Sequence, residues 1–472
     1  MTGLRALDGE LVKVSGRALE NLAANLTGPV LRPSDAGFDD AVRIWNGAVT
    51  KRPALVVQPV SAGDVREVVR FTAAHGIELS IKGGGHNIAG TSLSDVGLTL
   101  DMARLRRVEV DSERRLAHVG AGCLLQHVDR ATQEHGLATA LGFVSETGVA
   151  GLTLGGGMGY LTRRFGWTVD NLAEVEIVTA DGSVRRAAAD DHDDLFWALR
   201  GGGGNFGVVT RFTFRLHEVG PLITGGLVVW EAEQAGDVLA RYREVGEGAP
   251  RELTLAVTMR LAPPAPFIPE RWHGRPVIGI LACHTGDPAQ AEKDLAPIRA
   301  LGKPITDVIG PKNYVEQQSM LDAAQPKGMH YYWKSEFVPG LSDELFATYN
   351  QQFHELQAPA NQIVLFQVDG ALSEHPEDDG SVGNRDAAFA CVIQAMWAPD
   401  SAARDSNRQW VRDAWTALKR YSTGGNYVNF QTADESDDRT VESYRGNYER
   451  LARVKALYDP GNLFRVNRNI KP

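Results

Sequence analysis

The stretch Ser80 to Gly90, "SIKGGGHNIAG", sets an imidazole, His86, at the end of three consecutive glycines. Two further clusters, "GLTLGGGMG" and "RGGGGNFG", follow, and all three fall before residue 210. Successive bare backbone amides form nests that bind anions, and glycine lets a phosphate approach them closely. One cluster would be no more than a tight turn. Three, each beside apolar strand residues, point to a dinucleotide whose pyrophosphate lies on the loops. The last cluster, Gly202 to Gly207, reads G-x-G-x-x-G, but helix-like "DDLFWALR" precedes it and strand-like "VVTRFTFRL" follows. A Rossmann fingerprint needs a strand before and a helix after, so NAD on that fold is disfavoured.

The elements that must position these loops alternate irregularly. "GIELSIKGGGH" is a strand entering a loop; "RRVEVDSERRLAHVGAG" and "VEIVTADGSVRRA" are hairpins, the second turning at Asp181-Gly182. "LLQHVDRATQEHG" has helical spacing and stops at Gly136. Strands and helices mix without regular βαβ alternation, which predicts an α+β fold. Beyond about Gly220 glycine thins out, and the prolines from Pro263 to Pro269 mark a loop. "VIGILACHTG", "HYYWKSEF", "QIVLFQVDG" and "AFACVIQAMW" read as strands, and "DPAQAEKDLAPIRALG" as a helix capped by Asp287 with Pro288 at its first position. A second domain follows from this: a sheet with helices on one side. The tail "ERLARVKALYDPGNLFRVNRNIKP" reads as a helix stopped at Asp459-Pro460-Gly461, then an extended polar strand.

Composition narrows the function. At 472 residues the chain is too long for one core. Its net charge of -10 is spread along the sequence, which excludes the basic face that nucleic acid requires. No apolar run reaches membrane-span length, and the N-terminal residues lack a secretory signal's apolar segment. Cys123, Cys283 and Cys391 lie far apart with no metal-ligand spacing, which predicts reduced, buried thiols in a cytoplasmic protein and no metal site.

Taken together, "RPALVVQPVSAGDVREVVRF", "KGGGHNIAGTSLSDVGLTLDM", "GLTLGGGMGYLTRRFGWTVDNL", "DLFWALRGGGGNFGVVTRF" and "YDPGNLFRVNRNIKP" resemble the berberine bridge enzyme-like FAD-linked oxidases of the vanillyl-alcohol oxidase superfamily. The resemblance implies a two-part PCMH-type FAD-binding domain over 1–217 and a substrate domain over 218–425, its antiparallel sheet covered by helices. A C-terminal segment, 426–472, would return to the FAD domain. It implies covalent FAD on His86, with Gly83, Gly84 and Gly85 under the pyrophosphate. Asn87, Gly90 and Thr91 would complete that loop. Thr147, Gly148, Gly151, Gly156, Gly157, Gly159 and Asn171 would form a second cofactor segment, and Asn205, Gly207 and Val208 a third. Asn429 and Asn467 would close the site from the C-terminus. Such a link makes the flavin more electron-poor. Val144 stands where many members carry a second, cysteinyl attachment, so a single bond is expected. Thr147 stands where oxidases of the family usually have valine, which leaves room for oxygenating or dehydrogenase chemistry.

On the substrate side the resemblance implies a pocket lined by Leu365, Gln367 and Asp369, with Tyr332, Trp333 and Phe430. "YVNF" matches a Y-x-N-Y motif whose last tyrosine is often the base; here it is Phe430, so either Asp369 or Tyr427, with Gln367, serves catalysis, or the substrate needs no base, as with a neutral amine whose lone pair assists hydride departure. The implied activity is oxidation of a small aromatic or heterocyclic amine or alcohol by hydride transfer to flavin N5, with dioxygen as acceptor, in a monomer or homodimer. A flavin-dependent oxygenating enzyme and a flavin-binding protein without turnover are the alternatives.

Overall fold

The computed structural model describes residues 1–356 and 358–472. Two larger sheets organise the N-terminal part, with two-stranded pairs Thr2–Arg5/Leu11–Val14 and Leu137–Ala138/His217–Glu218 beside them. The first contains β1 (Val30–Leu31), β2 (Leu55–Val57), β3 (Leu79–Lys82) and β4 (Leu98–Asp101), in the order β1-β2-β4-β3. Its strands β2 and β3 both run parallel to β4. Between β2 and β3 runs α1 (Ala62–His75), capped by Ser61 and ended by a left-handed Gly76. This local parallel unit sits inside the mixed α+β architecture expected from the sequence.

The second sheet joins β5 (Val108–Asp111), β6 (Leu116–Gly120), β7 (Leu172–Val178), β8 (Val184–Ala188) and β9 (Val208–Arg215), in the order β8-β7-β9-β6-β5. Both hairpins read from the sequence are present. The first glycine cluster follows β3, and the second and third follow helices α3 (Val149–Leu154) and α4 (Asp193–Leu199), with α2 (Leu125–Gln133) beside them. One apolar core, which includes Val65, Val69, Val119, Phe212 and Phe214, binds these sheets together.

The third sheet has eight strands. In chain order they are β10 (Leu222–Glu231), β11 (Leu253–Leu261), β12 (Pro276–His284), β13 (Thr306–Asp307), β14 (Gly310–Asn313), β15 (His330–Val338), β16 (Gln362–Gln367) and β17 (Phe389–Trp397). The order across the sheet is β13-β10-β12-β11-β16-β17-β15, with β14 on β10, and every pairing is antiparallel. Helices α5 (Ala235–Gly248), α6 (Pro288–Arg299), α7 (Asp343–His354) and α8 (Arg404–Leu418) cover one face. Their core holds Tyr242, Leu295, Tyr349 and Val411 against Val257, Ile280, Leu365 and Ile393. The other face looks toward the glycine loops, with Val364, Phe366 and Val392 packed among Phe143, Tyr160 and Tyr427.

After α9 (Tyr448–Tyr458) the tail returns to the N-terminal part. It forms no strand, contrary to the expectation from its sequence, because its polar groups bond to loops and not to a sheet edge. A fully buried pair anchors it. Lys455 Nζ donates to Asp459 Oδ2 at 2.6 Å and to the carbonyls of Asn205 and Phe464. Asp459 in turn accepts the amides of Leu463 and Phe464. The three cysteines are buried and unpaired, and among the described residues no helix is long and apolar enough to cross a membrane.

Lys455→Met should therefore lower stability by about 3–5 kcal/mol, since Asp459 stays buried without its counter-ion. Urea unfolding followed by tryptophan fluorescence reads this; an unchanged midpoint would show the pair to be dispensable.

Candidate active site

A cavity of about 1140 Å³ lies between the glycine loops and the inner face of the large sheet. Gly83, Gly84, Gly85, His86, Asn87, Thr91, Thr147, Gly148 and Gly151 form one side, and Asn205 and Asn467 extend it. The glycines are needed for close approach. A methyl group on Gly84 would lie 2.5 Å from the Gly148 backbone, so the two loops touch main chain to main chain. Asn87 Oδ1 holds the first loop by accepting from Thr91 N at 2.9 Å and Thr91 Oγ1 at 3.2 Å.

His86 is oriented by stacking. Its ring lies 4.2 Å from Trp45, and Trp45 lies 3.6 Å from Tyr331 of β15. Trp45 Nε1 donates to the Gln325 carbonyl at 2.9 Å. Burial pushes the imidazole pKa down to about 4, so the ring is neutral at physiological pH. His86 Nε2 is buried with no hydrogen-bond partner among the described residues. A buried ring nitrogen left without a partner is costly unless a bound group engages it. With the glycine cradle beside it, this donor set fits a flavin dinucleotide.

The tail seals the opposite end. Asn205 Nδ2 donates to the Gly202 and Arg468 carbonyls, and its Oδ1 accepts from Ile470 N. Asn467 Nδ2 donates to the Gly204 carbonyl at 3.0 Å, while its Oδ1 is buried without a partner.

Tyr427, Asn429, Phe430 and Trp333 line the cavity between its two sides. The Tyr427 hydroxyl accepts from Gly157 N at 3.0 Å and Asn429 Nδ2 at 2.9 Å. Burial pushes its pKa up to about 12. Phe430 meets Tyr427 edge-on at 4.8 Å and Trp333 at 5.1 Å, giving three aromatic walls.

Several expected residues lie elsewhere. On β16 the cavity face is Gln362, Val364 and Phe366. Leu365 and Gln367 point the other way, into the helices: Leu365 packs with Tyr242, and Gln367 Nε2 donates to the Gly246 carbonyl at 2.9 Å. Asp369 lies past the strand end and accepts from Arg163 Nε at 2.7 Å, away from the cavity wall. Tyr332 also faces the helices, donating to Asp434 at 2.8 Å beneath Arg408 and Arg412.

Gly90, Gly156, Gly157, Gly159, Asn171, Gly207 and Val208 do not reach the cavity wall either. Gly90 turns against Val49, Gly156 against Val382, Gly159 against Leu141 and Gly207 against Val178. Gly157 supplies the amide to Tyr427. Asn171 braces the Phe165 and Trp167 carbonyls, and Val208 starts β9 in the core. The sequence reading missed Trp45, Gln325, Thr258, Arg260, Gln362 and Gln394 on the wall or behind His86. Arg260 had a visible signal: it is the lone charge in the otherwise apolar "LTLAVTMRL".

A family model described as an FAD binding domain matches residues 53–188, and one described as "Berberine and berberine like" matches 426–471. The fold and these matches define an FAD-dependent oxidoreductase. (R)-6-Hydroxynicotine oxidase of Paenarthrobacter nicotinovorans is 30% identical over 464 residues, covering 95% of this chain and 97% of that protein. An FAD-linked oxidoreductase of Dictyostelium discoideum is 30% identical over 454 residues, covering 95% of each. The crystal structure of 6-hydroxy-D-nicotine oxidase from Arthrobacter nicotinovorans superposes with a TM-score of 0.87 at 27% identity, over 98% of this chain and 100% of that one. The chain belongs to the berberine bridge enzyme-like family of FAD-linked oxidases.

The Gly84–Gly148 contact leaves no room for a side chain, whereas a methyl group on Gly151 meets nothing within 4 Å in the protein. Gly84→Ala should cost about 1–3 kcal/mol and lower the flavin-to-protein ratio. Gly151→Ala should leave apoprotein stability unchanged. Thermal unfolding and flavin absorbance of both variants check the pair of expectations.

Proposed function

We propose that the chain is an oxidase carrying FAD on one covalent bond to His86, acting on a flat aromatic or heterocyclic amine. The observation that carries the link is the buried, partnerless Nε2 of a neutral imidazole beside the glycine cradle. Forming the bond removes one N–H proton from His86 and one C–H from the flavin 8α carbon. The two protons and two electrons released balance the reduction of dioxygen to hydrogen peroxide. Val144 on the cavity wall offers no thiolate for a second bond.

When bound, the flavin supplies a two-electron acceptor that takes hydride at N5 and returns the electrons to dioxygen. The protein's contribution is position. Trp333, Phe430 and Tyr427 sandwich a planar ring, and Val364, Phe366 and Val392 exclude water. No described side chain on the wall can take a proton as a carboxylate, because the wall has no aspartate or glutamate. Phe430 cannot act as a base, and Tyr427 remains protonated at neutral pH. Alcohol oxidation needs such a base; a neutral amine does not, since its own lone pair assists departure of hydride from the adjacent carbon. This favours the amine. The three buried free thiols support a reducing, cytoplasmic setting.

Thr147 supports a second reading. Its hydroxyl lies on the cavity wall without a hydrogen bond to the described residues, where it could alter how the reduced cofactor meets dioxygen. One equivalent of peroxide per substrate supports the oxidase; labelled oxygen in the product supports oxygenation.

Acid precipitation of the purified protein should leave a yellow pellet, and His86→Ala should release the colour into the supernatant while the fold survives. Yellow supernatant from the wild type would remove the covalent link. Asp369→Asn should destabilise the protein by unpairing buried Arg163, with anaerobic flavin reduction in the folded fraction unchanged. A reduction rate lower by orders of magnitude would restore Asp369 as the base.

A further inference from the structure

One row across the inner face of the large sheet is polar, while its neighbours are mostly apolar. Arg260 on β11 pairs with Gln362 on β16, Gln362 with Gln394 on β17, and Gln394 with Trp333 on β15. The adjoining rows, Thr258-Val364-Val392-Ser335 and Ala256-Phe366-Ala390-Phe337, contain two hydroxyls and no amide or charge. Hydrogen bonds link the polar row from end to end, and at Gln325 they are reciprocal, Gln325 Nε2 donating back to Gln394 Oε1 at 3.2 Å. Arg260 Nη1 donates to Gln362 Oε1 at 3.3 Å, Gln362 Nε2 to Gln394 Oε1 at 3.0 Å, and Gln394 Nε2 to Gln325 Oε1 at 2.9 Å. The amides are thus engaged with one another, and the guanidinium heads the chain.

Arg260 has no counter-ion. Its Nε reaches only the Leu261 carbonyl at 3.3 Å, and Nη2 has no partner among the described residues. Among the described residues no carboxylate lies within ion-pair distance of it, and burial lowers its pKa. The cavity wall carries Arg260, Lys312 and Arg468 but no described aspartate or glutamate. Arg468 is held by the Gln431 and Thr432 carbonyls, and Lys312 Nζ meets only the Met320 sulfur at 3.8 Å. Arg260 is half-buried on the cavity face, and a partly desolvated guanidinium without an anion gains when a ligand brings one. Its planar fork matches a carboxylate.

We propose that the substrate bears a carboxylate held by Arg260, at the opposite end of the polar row from Trp333. The inference rests on the oxidase reading and sharpens its substrate class. Three strand spacings separate the backbones of Arg260 and Trp333, about 14 Å. Part of that span is covered by the arginine stem, which leaves room for an acid of roughly two rings. A substrate of cationic character would meet two uncompensated cations instead.

The test titrates the flavin-loaded enzyme with 2-naphthoate, 2-naphthamide and 2-naphthylmethylamine, following flavin absorbance and calorimetric heat. The acid should bind at least about tenfold tighter than the amide. Arg260→Met should weaken the acid about 10- to 100-fold and leave the amide unchanged, while Arg260→Lys restores part of the loss. The wild-type comparison alone decides the matter if the methionine variant does not fold. Equal or tighter binding of amide or amine, or an acid affinity indifferent to Arg260→Met, overturns the proposal. Anaerobic bleaching by the amine with no preference for acids would overturn it while leaving the oxidase reading in place. Acids bound through Arg260, with no compound in a wider amine and alcohol panel bleaching the flavin, would support the carboxylate site and sink the oxidase reading.

Discussion

The backbone of Gly84 lies so close to that of Gly148 that a methyl group on either would come within 2.5 Å of the other's main chain. Much of the site follows from this contact. It locks the His86 loop onto the loop that enters α3, and Gly85 then accepts the Trp45 amide at 2.9 Å. Trp45 is thereby placed between the His86 ring and Tyr331, and Tyr331 belongs to the far edge of the large sheet. One close approach therefore sets the histidine, its stacking partner and the lateral position of the substrate wall. Side chains at either glycine would separate all three.

Charge is handled differently inside and outside the cavity. Elsewhere, most buried ions are paired: Lys82 with Asp101 at 3.2 Å, Arg385 with Asp170 at 2.7 Å, and Arg439 with Glu336, whereas Asp64 is held by the amides of Thr27, Gly28 and Val60 and Asp129 by Gln318 Nε2. Arg163 with Asp369 and Lys455 with Asp459 follow the same rule. Such pairs satisfy the desolvation cost of each partner locally and hold segments in register. Asp369 belongs to this structural group, which explains why a carboxylate beside the substrate sheet is not on its inner face. Arg260 and Lys312 are half-buried, and both face the cavity without a paired carboxylate among the described residues.

How much of this could be read from the chain depends on what each feature demands locally. Glycine clusters and His86 are legible because close backbone approach requires glycine wherever it occurs, and a polar ring following bare amides has few other uses. Strand positions were equally legible, since β-rich apolar runs between turns need no partner to be recognised. The facing of those strands was not. "QIVLFQ" is buried on both sides, one face by helices and the other by the cavity. A period of two has no polar phase there to mark the outside, so Gln367 and Gln362 were indistinguishable, and a slip of one position exchanged the faces. The same holds for Tyr332 and Trp333 in "HYYWKSEF". Gly156, Gly157 and Gly159 misled for a related reason: glycine marks close approach, but not whether the approaching group is a ligand or the protein's own Val382, Thr168 and Leu141.

A cavity without a described carboxylate must gain its rate from placement more than from proton transfer, and its parts are suited to that. On the oxidase reading the His86 bond fixes one reactant, so cofactor mobility does not erode the alignment. Aromatic walls from Trp333, Phe430 and Tyr427 restrain the substrate ring in one plane. A charged anchor at Arg260 would restrain it along the sheet, since an ion pair in a desolvated cavity resists sliding more than apolar contact does. Orientation of this kind supplies several kcal/mol of a barrier without any acid or base. Phe430 is consistent with the rest of the wall: the polar groups are gathered in one row that can bind, and the surfaces beside the aromatic walls are left apolar.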